Sequence, residues 1–95
     1  MRLVWSLKSR VDLASIRDYI LLRNPAAAEK VVGLIISSAL RLEFFPQLGR
    51  AAEISEVRLL QVAGLPYLLP YRVWNDDIEI LAVFDERQER PEEWL

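Results

Sequence analysis

The sequence contains no cysteine and no histidine, and its only lysines are Lys8 and Lys30. Without cysteine there are no disulfides, no thiolate nucleophile and no thiolate metal ligand. Without histidine there is no side chain that titrates near pH 7 unperturbed. Ser-His-Asp and Cys-His catalysis go with these absences, as do nearly all zinc schemes. No metal and no cofactor are expected, and any chemistry would rest on arginine, lysine, tyrosine and carboxylates. Glycine (3) and proline (5) are too few for a chain disordered by composition. The uncharged run Val31–Leu40 is far short of the roughly 18 apolar residues a membrane span requires. Arg2-Leu3-Val4-Trp5 runs directly into Lys8 and Arg10 rather than into an apolar leader. The expectation is a cytoplasmic protein with no membrane partner.

The 95 residues suit one domain, 1–95, with an acidic tail at 85–95. Hydrophobic residues make up 53% and mean hydropathy is +0.13. Both are high for a domain this small, so some apolar surface is expected to remain for a partner. Charge divides along the chain: residues 1–50 carry a net +4, residues 51–95 a net −6. With a pI near 5.1 the overall basic footprint of a nucleic-acid binder is missing, and direct nucleic-acid binding is not expected.

Arg2–Trp5 reads as a strand. Ser9-Arg10-Val11-Asp12 has the spacing of a capping box, opening a helix with Leu13, Ile16 and Ile20 on one stripe. Asn24-Pro25 ends that helix and starts a second, expected from about Ala26 to Phe44, so the two form an antiparallel hairpin. The second helix has two apolar stripes. Val31, Leu34, Ile35, Ser38 and Leu42 make one, and Val32, Ile36, Ala39 and Leu40 the other. One side is expected to face the core and the other a partner, the alternative being a tightly packed hairpin with no partner. Gly33 in mid-helix is expected to permit close approach of the first helix. Val57–Ala63, Tyr67–Trp74 and Ile78–Phe84 then read as an antiparallel meander with a turn at Asn75-Asp76-Asp77. Pro70 is expected at an edge or bulge, because it has no backbone donor. The fold class is α+β: an N-terminal strand and a helical hairpin packed on a small, mostly antiparallel sheet, in the order β-α-α-β-β-β.

The ordered set of landmarks resembles the ParE/RelE superfamily of toxins from type II toxin–antitoxin systems. It comprises Asp12-Leu13 with Ile16, Tyr19-Ile20 and Asn24-Pro25, then Pro46 with Gly49-Arg50, then Val57-Arg58-Leu59-Leu60, Pro66–Val73 and Ile78-Glu79-Ile80-Leu81. The likeness covers essentially the whole chain and is nearer the ParE branch. It implies a cognate antitoxin that lays a helix and an extended stretch on the toxin. It also implies DNA gyrase as the target in the ParE branch, or messenger RNA cut on the ribosome in the RelE branch. Cleaving RNA through its 2′-OH needs a base, a cation for the phosphorane and an acid for the leaving oxygen. Asp85 stands after the last strand, where a histidine often follows, and no tyrosine comes after Tyr71. The expectation is therefore a gyrase inhibitor that acts by binding and is not an enzyme. The alternatives are a ribosome-dependent endoribonuclease using Arg58 and Arg72, or an attenuated member that binds antitoxin without toxicity.

On this reading the target-binding candidates are Arg58, Arg72, Asp85, Arg87, Arg90 and Trp94. The antitoxin-binding candidates are Leu34, Ile35, Ser38, Leu42 and Arg50. Four of these have a plainer alternative. Arg58 can pair with Glu56 or Glu79, Arg72 can be a solvated strand charge, Arg50 can satisfy backbone carbonyls, and Trp94 can fold back on apolar surface.

Overall fold

A computed structural model describes residues 1–88. The first strand, β1 (Arg2–Trp5), leads into α1 (Leu7–Leu21) and α2 (Pro25–Leu40), with a short 3-10 turn at Arg41–Glu43. The remaining strands are β2 (Arg50–Ala51), β3 (Arg58–Gln61), β4 (Tyr67–Trp74), β5 (Asp77–Ile80) and β6 (Phe84–Asp85). The strand order is β1-β5-β4-β3-β2, with β6 paired to β4. Only β1–β5 is parallel; the other described pairings are antiparallel, as the α+β reading requires.

The first helix begins earlier than the capping-box reading has it. Ser6 is the N-cap and accepts a hydrogen bond from the Ser9 amide at 3.1 Å. The Ser6 hydroxyl donates to the Leu81 carbonyl and its amide to Ile80, so the cap also fastens the helix to the sheet. Ser9 is buried one turn in and donates to the Ser6 carbonyl. Asp12 does not cap; it pairs with Lys8 and accepts the Val83 amide at 3.0 Å. Asn24 caps α2 by accepting from the Ala27 amide, with Pro25 at the first helical position. Arg23 lies over the Tyr19 ring at 3.8 Å and donates to the Tyr19 carbonyl, occupying one acceptor left free at the end of α1.

The faces of α2 are cut differently from the two expected stripes. Ala28, Ile35 and Ala39 are its buried residues, and Leu42 follows them in the 3-10 turn. Ile35 and Leu42, expected on the partner stripe with Leu34, are buried together with Ala39 of the other stripe, while Leu34 is 38% exposed. The outer side keeps Leu34, Ile36 and Leu40 open to solvent. Gly33 has nothing within 4 Å of where a Cβ would sit, so it does not serve close approach of α1.

The main core lies between the hairpin and one sheet face. It joins Ile35, Ala39 and Leu42 to Leu60, Leu69, Tyr71, Ile78 and Ile80. A smaller cluster of Val57, Leu68, Leu81, Ala82 and Phe84 forms separately. The strand expected at Ile78–Phe84 is broken. Tyr71 faces Ile80 and Leu68 faces Phe84, so three steps along β4 match four on its partner, which is a bulge of one residue. The bulge upsets the alternation: consecutive Leu81 and Ala82 both join the smaller cluster, and Val83 returns to the main core. Pro70 stands opposite this bulge, where the missing amide leaves no ladder bond unmade. The β4–β5 connection is a two-residue hairpin loop with Asn75 at φ 51° and Asp76 at φ 63°. That is the left-handed geometry asparagine and aspartate tolerate in tight hairpins.

Candidate functional site

Gly49, Arg58 and Tyr71, scattered in the sequence, meet in space. The Tyr71 hydroxyl donates to the Pro46 carbonyl at 2.8 Å and accepts the Gly49 amide at 2.9 Å. Arg58 donates from Nη1 to the Gly49 carbonyl at 2.6 Å, so neither Glu56 nor Glu79 is its partner. A Cβ at Gly49 would lie 2.6 Å from the Tyr71 ring and 2.8 Å from the Leu59 carbonyl. The loop leaving α2 is thus locked onto the sheet by residues that, in sequence, formed part of the family motif. Burial pushes the Tyr71 phenol above its ordinary pKa, against the lowering effect of the Gly49 amide.

Beside this lock opens a groove of about 770 Å³ that brings Arg58 and Arg72 together with Ile54, Val57, Val73 and Trp74. Arg72 faces Glu79 across β4–β5, donates to it from Nε at 2.8 Å, and lies 4.9 Å from the Trp74 ring centroid. The ion pair and the indole hold the guanidinium in place while its two Nη groups remain turned to no described partner. Trp74 is 54% exposed. Its place here is not marked by any pattern in the sequence beyond its position at the end of a strand. The groove offers cationic hydrogen-bond donors and apolar surface. The Tyr71 hydroxyl that lines it is engaged by both Pro46 and Gly49, and Glu56 lines it as well.

Asp85 and Arg87 lie elsewhere, at a cleft of about 470 Å³ between α1 and the end of β6 that shares no lining residue with the groove. Lys8, Asp12, Tyr19 and Tyr67 line it too. Asp85 receives both Nε and Nη2 of Arg87, at 3.0 and 2.6 Å. These bonds hold its carboxyl below the usual carboxylate range. The Tyr67 phenol is raised, first by burial and then by Asp85. Arg90 and Trp94 lie outside the described residues.

Among the antitoxin candidates, Leu34 is exposed and Ser38 half-buried, while Arg50 stands exposed on the edge strand β2. Ile35 and Leu42 are fully buried and belong to the core of the free chain, which corrects their assignment to a contact surface. A cleft of about 380 Å³ between the helices, lined by Arg17, Leu21 and Val32 among others, is marked by no motif in the sequence. No group of three or more acids able to hold a metal occurs among the described residues. Nor, among them, is any helix long and apolar enough to cross a membrane.

A hairpin of helices packed on one face of a small, mostly antiparallel sheet defines the fold as α+β. The family model for the ParE toxin of the type II toxin–antitoxin system parDE matches residues 3–90. The chain is 36% identical over 91 residues to the protein Y4kP of Sinorhizobium fredii, covering 96% of this chain and 94% of that one. It is 30% identical to the toxin RelE2 of Caulobacter vibrioides, over 86% of this chain and 91% of that toxin. It is 34% identical to the toxin RelE3 of the same organism, over 80% of this chain and 84% of that one. Among solved structures, a chain of a chromosomal ParDE toxin–antitoxin system from P. aeruginosa superimposes with a TM-score of 0.82 at 31% identity. The match covers 90% of this chain and 95% of that one. The chain belongs to the ParE toxin family of type II toxin–antitoxin systems.

Proposed function

We propose that this toxin arrests growth by binding DNA gyrase, without catalysis, and is neutralised by a cognate antitoxin. The observation that carries the absence of catalysis is the engagement of Tyr71. Its hydroxyl is spent on Pro46 and Gly49, and the groove that holds Arg58 and Arg72 has no other tyrosine and no histidine. Two guanidiniums can grip an anionic group or a carboxylate of a partner, but they deliver and remove no protons. The antitoxin reading rests on the outer side of the hairpin, where Leu34, Ile36 and Leu40 are exposed, and on the two-residue edge strand β2. A helix suits the first surface and an extended segment the second.

Supercoiling and cleavage assays with purified protein and gyrase, with and without ATP, test the target. Stabilised cleaved DNA supports the proposal; undisturbed supercoiling without a cleavage complex overturns it. A ribosome-dependent endoribonuclease is the second reading, favoured by the two RelE relatives and by the convergence of Arg58 and Arg72 on one groove. It requires cuts in translated messages that disappear in Arg72→Ala. Unimpaired growth on induction favours the third reading, a member that binds antitoxin without toxicity.

A further inference from the structure

The pairing of β3 with β4 stops where the groove of Arg58 and Arg72 begins. Arg58 opposite Tyr71 is the last rung, yet β4 runs on through Arg72, Val73 and Trp74. Backbone groups point alternately to the two sides of a strand. The Val62 amide donates to the Tyr67 carbonyl on the β3 side of β4, and the Leu81 amide to the Pro70 carbonyl on the β5 side. By that alternation Val73 turns its amide and carbonyl to the β3 side, past the point where β3 starts. No described residue meets them there. The chain leading into β3 turns aside instead, with Glu56 at φ 65° and the Val57 amide donating to the Ile54 carbonyl. Val73 is 49% exposed. The groove therefore lies where β3 would have continued, between this turn and the open edge of β4.

An unpaired stretch of strand edge is a template for an added strand, and the side chains around it choose which strand. Two guanidiniums, of Arg58 and Arg72, line this groove against the single carboxylate of Glu56. Arg72 and Trp74 are two residues apart and share one face of β4, while Ile54 and Val57 add apolar contact. We propose that the groove receives an extended acidic segment of a protein partner. The segment continues the line of β3, pairs its backbone with Val73 and sets a carboxylate against Arg58 and Arg72. This deepens the reading of the groove as a binding surface and rests on it.

Titrating the purified protein with a blocked hexapeptide of alternating aspartate and valine, followed by amide NMR, tests this. The Val73 amide is expected to exchange freely in the free protein and at least about tenfold more slowly with peptide bound. An N-methylated version of the peptide keeps its charges but loses its amide donors, and is expected to bind at least about tenfold more weakly. A version with lysine for aspartate is expected not to bind. Arg72→Gln, checked for folding by its melting temperature, is expected to weaken the aspartate peptide about tenfold. The N-methylated peptide keeps the test decisive on wild-type protein should that variant fail to fold. Binding that leaves Val73 unprotected, or that N-methylation does not weaken, overturns the proposal and leaves only a charged patch. No binding at millimolar peptide overturns it as well. A single-stranded RNA oligonucleotide that takes the groove where the peptide does not overturns it in favour of nucleic acid. Neither gyrase nor ribosome is in the titration, so the supercoiling and message-cleavage assays judge the wider reading separately.

Discussion

Gly49 donates its amide to the Tyr71 hydroxyl across 22 positions of sequence, and a methyl group on Gly49 would collide with the same ring. Donor and steric fit thus specify each other: the glycine must be bare for the phenol to come close enough to accept. Tyr71→Phe leaves the Gly49 amide and the Pro46 carbonyl without their partner in a buried setting. A loss of about 1–3 kcal/mol is expected, the cost of stranding such groups. Gly49→Ala is expected to destabilise by about 1–3 kcal/mol through overpacking. Urea unfolding midpoints check both; values matching wild type would dissolve the lock.

Gly33 makes the opposite case. It is helical, exposed and has open space where a side chain would begin. Gly33→Ala is expected to stabilise the free protein by about 0.5–1 kcal/mol through helix propensity. Thermal unfolding reads the sign. A destabilised variant would show that the position is closer packed than the structure describes.

Leu34 and Ile35 are neighbours with opposite fates. Ile35→Ala should cost about 2–5 kcal/mol, as truncations in a close-packed core do. Leu34→Glu should move stability by about 0.5 kcal/mol or less while weakening antitoxin binding measured by calorimetry. Unchanged affinity in Leu34→Glu would remove this face of α2 from the antitoxin surface.

Asp77 and Asp85 are both held below the ordinary carboxylate range, each first of all by a hydrogen bond from an arginine, Arg2 and Arg87. A carboxylate depressed in the folded state contributes stability above its unfolded pKa of about 3.9 and loses it as pH falls through the folded value. These two pairs should therefore add no pH dependence between about pH 5 and 7 and should steepen the loss of stability below about pH 4. Arg2→Gln and Arg87→Gln are expected to flatten that acid limb in urea titrations. An unchanged slope would deny the pairs any thermodynamic role.

What was readable in sequence is what local chemistry controls. Asn24-Pro25 announces both the end of one helix and the cap of the next, and Asn75-Asp76 announces a hairpin. What was not readable depends on a distant partner. Ser6 rather than Ser9 caps α1, and the same Ser6 also binds Ile80 and Leu81 in the sheet. The bulge after Ile80 has no signature of its own beyond Pro70 on the opposite strand. A helical wheel sets Leu34 and Ala39 on different faces but does not say which face the sheet covers, because both are apolar. For the site, the arginines were visible as residue types, but their partners were not: the Gly49 carbonyl for Arg58, and Glu79 with Trp74 for Arg72.

The parallel pairing of β1 with β5 sets Arg2 opposite Asp77 and Trp5 opposite Ile80. β1 is therefore made well before β5 and has no paired strand until β5 follows. At about 5–20 residues per second, some 4–15 s pass between the two. From the completion of the hairpin at Leu42 until β3 and β4 follow, it has no sheet beneath it, and Ile35, Ala39 and Leu42 are open to any apolar surface within reach. The nascent chain is thus in its most adhesive state before it has acquired the fold that could harm the cell. A partner already present at that moment meets a larger apolar face than the finished protein ever shows.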